Sequence, residues 1–231
     1  MDPHLRERAE RNLGSIVIAI EFTLISVMVG VILFPLMDHA TPILRELKFE
    51  YMLYAVSGLA LILYIWTEVI SHSLSFIGWP FDIFHNLLYI IFAMVLAIQM
   101  HFLQDPLGWF AMTCVSAIVA AAISYYDLKL IGERKQGATG AAAELYDSAY
   151  KRQQSLVRLV PLTLANSFVQ VGLILLFPVF FLQDGGHLIL VSIQIIAFAY
   201  LLRRTIRHFK THRDLITAKA IQELGLEQSA K

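Results

Sequence analysis

The sequence predicts an all-α integral membrane protein, a six-helix transmembrane bundle, on three observations. Of 231 residues, 58% are hydrophobic and 16% charged, against about 45–50% and about 25% in an ordinary soluble domain. The apolar residues gather into runs of about twenty, the length that crosses roughly 30 Å of hydrocarbon at about 1.5 Å per residue. Between the runs stand turn-formers and charges, which do not continue a buried helix.

The elements follow in chain order. After a polar N-terminal segment, 1–14, the first span is predicted at 15–37; no small-residue cleavage pattern follows it, so it reads as a retained helix and not a signal peptide. The remaining spans are predicted at 51–72, 82–104, 107–130, 157–182 and 187–209. Pro42 marks the first break, Gly78 and Pro80 the second, Asp105-Pro106-Leu107-Gly108 the third and Asp184-Gly185-Gly186 the last. The third and fourth spans, and the fifth and sixth, are predicted to form tight hairpins. The 131–156 loop is polar, and its good helix-formers from Ala141 onward predict a helix that runs along the cytoplasmic interface and into the fifth span; the tail 210–231 is short, mixed in charge and expected to be helical. FLQD recurs at Phe102–Asp105 and Phe181–Asp184. VS recurs at Val56, Val115 and Val191, each valine followed twelve residues later by Glu68, Asp127 or Arg203. This spacing fits three sequential helix hairpins.

Basic residues orient the bundle. Of the 18 Lys and Arg residues, only Arg45 and Lys48 fall on the side opposite the termini, so both termini are expected to be cytoplasmic. The net charge of zero hides this asymmetry. The expected location is the plasma (inner) membrane and the expected partner the lipid bilayer, with a homo-oligomer or a partner membrane subunit as further partners. Nucleic-acid, phosphate-loop and dinucleotide signatures are absent. The single Cys114 allows no intrachain disulfide.

The candidate site residues are ionisable or amide groups inside the spans. Glu21 lies about two turns into the first span, where a carboxylate costs about 2.5–3.5 kcal/mol on insertion scales unless paired, protonated or hydrated. It shares a helix face with Gly14, Ile18, Ile25 and Met28, while Ser15, Ala19, Thr23, Ser26 and Gly30 form a small-residue stripe expected at a close helix contact. Glu68 and His72, at i, i+4, share a face near the end of the second span, and Asp82 and His85, at i, i+3, share one at the start of the third. Depth therefore places Glu21, Glu68, His72, Asp82 and His85 in one cytoplasmic-side layer. Asp82, after Pro80-Phe81, is also an N-cap candidate, and Glu68 is expected to pair with His72 or Arg158. Deeper, Thr163, Asn166, Ser167 and Gln170 make a polar seam on the fifth span, with Gln194 facing it from the sixth. Ser116, Ala120 and Ser124 mark the fourth span as a close-packing helix central to the bundle. Gln99, His39, His101 and His187 read as interfacial.

The leading functional reading is a small polytopic transporter or channel, moving a proton, cation or small solute past the Glu21 layer and the Thr163–Gln170 seam. An intramembrane enzyme acting on a lipid or lipid-linked substrate is the second reading, and a noncatalytic subunit or sensor the third. No cofactor is expected. A metal at Glu68, His72, Asp82 and His85 is the alternative, although no H-E-x-x-H or Cys/His spacing supports it.

Overall fold

The computed structural model describes residues 3–75 and 82–223. The described residues form seven α-helices and no strand: α1 Pro3–Arg45, α2 Phe49–Ser75, α3 Ile83–Gln99, α4 Pro106–Gln136, α5 Gly140–Val157, α6 Val160–Leu176 and α7 His187–Glu223. A 3₁₀ turn, Met100–Phe102, extends α3, and a π turn, Val179–Gln183, follows α6. Six segments are long and apolar enough to span a membrane. No more than 28% of the apolar 18-residue stretch in any of them is buried inside the molecule, so each helix also presents apolar side chains outward. Phe34, Phe168, Leu176 and Ile196 are typical of that exposed apolar face.

Helix ends follow local chemistry. Asp82 caps α3, its Oδ1 accepting from the His85 N–H at 2.8 Å, and Asp105 caps α4 by accepting from the Gly108 N–H at 3.1 Å. Each satisfies one of the orphan donors at a helix start. The expected break at Pro42 does not occur: α1 runs through Pro35 and Pro42 to Arg45. Proline forfeits one helical hydrogen bond and one carbonyl partner, a local loss that a long apolar helix tolerates. The chain reverses instead at Leu47, a non-glycine residue at φ 52. The second break, Gly78 and Pro80, lies outside the described residues.

The helix expected from Ala141 onward is present as α5, Gly140–Val157, although it breaks before the next span instead of running into it. α4 continues six residues beyond its predicted end, and α5 folds back along α4 and reaches α7 and α2. Leu145 is buried beneath α5, Gln153 Nε2 donates to the Ser124 carbonyl at 2.9 Å, and Asp147 pairs with Lys135 and Lys151, both at 2.6 Å. The chain then breaks at Arg158–Leu159, and Pro161 sits in the first turn of α6, where its missing N–H costs nothing.

The helices α1 and α2, and α3 and α4, pack as neighbouring pairs. The third predicted hairpin is different. Gly185, at φ +80, makes the turn before α7, but α6 packs on α4 whereas α7 packs on α2 and α5. The two helices therefore diverge from their tight connection. The core lies between α1, α2, α3, α4 and α7, where Tyr54, Trp109, Phe110, Leu96, Met100 and Ile43 are completely buried. The small-residue stripe of α1 is not a contact: Ala19, Thr23, Ser26 and Gly30 are exposed, and the Thr23 and Ser26 hydroxyls bond back to carbonyls of their own helix.

Candidate functional site

At mid-bundle a polar network joins four helices. Gln194 of α7 accepts on Oε1 from Trp109 Nε1 at 2.8 Å and from Ser57 Oγ at 3.1 Å, and its Nε2 donates to Thr113 Oγ1 at 3.2 Å. Thr113 also accepts from Gln99 Nε2 at 3.0 Å and donates to the Trp109 carbonyl, while Ser116 Oγ donates to Gln99 Oε1 at 2.8 Å. Gln99, the last residue of α3, is fully buried in this network. One layer toward the loop ends, the Tyr54 hydroxyl meets His187 Nδ1 at 2.9 Å, both side chains being buried. His39 and His101 bond at 2.5 Å on the exterior.

Beside this network lies a cavity of about 200 Å³ between α2, α3, α4, α6 and α7. Gln99, Thr113, Ser116, Ser124, Thr163 and Ser167 supply its polar wall, and Ala117, Ala120 and Ala121 keep it open. The small residues of α4 thus line space as well as packing. Of the predicted seam, Thr163 and Ser167 face the cavity, Gln170 is buried, and Asn166 is exposed on another face of α6. Gln194 pairs with α2 and α4, not with that seam.

A second cavity, of about 320 Å³, opens nearer the end that carries the termini. It is lined by Glu68, Ser148, Lys151, Arg152, Arg204, Thr205 and His208. Glu68 accepts a short, charged hydrogen bond from Arg152 Nη2 and another from Thr205 Oγ1, and Arg152 Nη1 donates to Ser71 Oγ at 3.2 Å. The expected partners of Glu68, His72 and Arg158, are replaced by residues of α5 and α7. Arg204 similarly donates to Ser155 Oγ. Leu156 and Leu201 line both cavities and stand between them.

The third feature is a histidine cluster between α2, α3 and α4. His85 Nε2 lies 2.8 Å from Asp127 Oδ1, and the His72 and His85 rings stack at 5.7 Å with 27° between planes. Tyr89 and Tyr126 rings pack on His85. Asp82 belongs to the rim of this cluster, with Oδ2 accepting from the Tyr126 hydroxyl at 3.0 Å. Burial alone would raise the Asp82 carboxyl; the His85 N–H, the Tyr126 hydroxyl and the positive field of His85 outweigh it and hold the group below the usual carboxylate range. The structure therefore brings His72, His85 and Asp82 together and sends Glu68 to Arg152. Glu21 is on α1, but its side chain lies outside the described residues; Ile25, four residues on, is buried.

Sequence reasoning missed Asp127, Arg152, Thr205 and Gln99 as participants. Asp127 alone left a trace, as the counterpart of Glu68 in the Val-plus-twelve spacing. No family model, curated protein or solved structure matches the chain.

Proposed function

We propose that the protein is a membrane transporter for a small anionic solute, with both termini cytoplasmic. The observation that carries this reading is the adjoining pair of cavities, one basic and one neutral, mainly apolar with a few hydroxyl and amide groups, that share Leu156 and Leu201 in their walls. Around the basic cavity Arg152 pairs with Glu68 and Lys151 with Asp147, and Arg204, which donates to the neutral Ser155 hydroxyl, leaves a net positive charge. The remaining field attracts anions and repels protons and cations. In the neutral cavity the Thr113, Ser116, Thr163 and Ser167 hydroxyls donate to Trp109 O, Gln99 Oε1, Leu159 O and Thr163 O, so an anion there is met by the Ser124 hydroxyl and by hydroxyls that turn from these partners as its hydration is stripped. Two leucines form an apolar constriction of the kind that gates by excluding water. The basic surplus on the terminal side supports the orientation.

The test is uptake into proteoliposomes of formate, acetate, nitrate, phosphate and sulfate, each under an imposed potential. At least one anion is expected to cross. Arg204→Gln should weaken its apparent affinity several-fold, and Leu201→Trp should abolish flux while the protein still inserts. Absence of flux for every anion, or flux of potassium or protons instead, would overturn the proposal.

A further inference from the structure

Asp127 is a buried carboxylate, 4% exposed, inside an apolar span, and among the described residues its one ion pair is to His85. A lone carboxylate in such a layer needs a positive partner. His85 supplies one when protonated, but His72 is stacked on His85 and adds a second imidazole to the same point. Three helices thus contribute two imidazoles and a carboxylate, and one ligand atom from each lies within 4.8 Å of the other two.

We infer that His72, His85 and Asp127 form a binding site for a divalent transition-metal ion of the zinc class. A tetrahedral ion with bonds of about 2.0–2.1 Å holds its donors about 3.3–3.4 Å apart. The His85–Asp127 pair, at 2.8 Å, lies just inside that spacing, and no pair of donors is more than 4.8 Å apart. Side-chain rotation of at most about 1.5 Å closes the set. Two nitrogens and one oxygen suit zinc, iron(II), manganese or cobalt and exclude calcium and magnesium as preferred ions. Three protein donors leave a position for water or a solute group, unlike a closed structural site. The ligand set differs from Glu68, His72, Asp82 and His85: Glu68 is taken by Arg152 and Thr205, and Asp82 is occupied as a helix cap and by Tyr126. This site is independent of the anion path, and its loss leaves that reading standing.

The purified full chain in detergent, stripped with a chelator, is titrated with Co²⁺ and then Zn²⁺. One equivalent of Co²⁺ is expected to bind with a visible ligand-field band that Zn²⁺ abolishes. His72→Gln and Asp127→Asn should each weaken binding at least tenfold, whereas the double variant His39→Gln/His101→Gln, which removes the exterior histidine pair, should bind as the parent does. X-ray absorption of the Zn²⁺-loaded parent, which needs no variant, should show two imidazoles with oxygen ligands. Failure of the parent to bind either ion, binding that disappears only with His39 and His101, or a shell without two imidazoles would overturn the inference.

Discussion

Gln194 is the residue on which most of the mid-bundle polar chemistry converges, since its one amide satisfies Ser57, Trp109 and Thr113 on two other helices. Gln194→Ala strands the buried Trp109 N–H, at a cost of about 1–3 kcal/mol, and a melting curve in detergent should fall by several degrees. Asp82 gives a pH-dependent counterpart. Its folded pKa is depressed, so its contribution is present above the unfolded value of about 3.9 and lost as pH falls through the folded one. Asp82→Ala should cost about 0.5–2 kcal/mol at neutral pH. The gap from the parent, followed by denaturation midpoints, should narrow as pH falls below the ordinary carboxylate range; a gap independent of pH would show that the charge contributes nothing. Residue types told which side chains are unusual in a membrane, and so Glu68, His72 and His85 stood out. They could not tell who meets whom: Arg152 is 84 positions from Glu68, and nothing local in the chain encodes that distance.

Among the elements, three glycines separate packing from propensity. A Cβ on Gly58 would stand 2.9 Å from Met100 Sδ and 3.2 Å from Leu36 Cδ1, whereas Gly30 and Gly172 have nothing within 4 Å. Gly30→Ala and Gly172→Ala should each stabilise by about 0.5–1 kcal/mol through helix propensity alone. Gly58→Leu should destabilise by about 1–3 kcal/mol as α2 is forced from α1 and α3, and unfolding of the three variants in one detergent checks the contrast. The positions of the helices were legible because the period of apolar runs and the caps at Asp82 and Asp105 are local signals. The reversal at Leu47 was not, because neither Gly, Pro nor Asn marks it. Nor was the splaying of α6 from α7, because a tight Gly185-Gly186 connection specifies proximity at the turn and says nothing about the partners each helix finds further along.

For the molecule as a whole, a cysteine at Gln136 and one at Asp105, each placed in a Cys114→Ala background, should label from opposite sides of the membrane. Labelling from the same side would break the alternation of spans on which the anion path depends. Six apolar runs made the number of membrane-length helices among the described residues legible. The arrangement of the crossings was hidden, because lipid is as apolar as the helix surfaces and packing is decided by shape and hydrogen bonds between chain-distant segments. The packing of α2 against α7 carries a consequence for how the chain is made. The helix that completes this network, α7, is synthesised after α2 and α4, so Ser57, Trp109 and Thr113 lack Gln194 until α7 emerges. A nascent chain halted after Asp184 should therefore be held by insertion chaperones or destroyed by membrane proteases. Co-expression of residues 185–231 as a separate piece should rescue it.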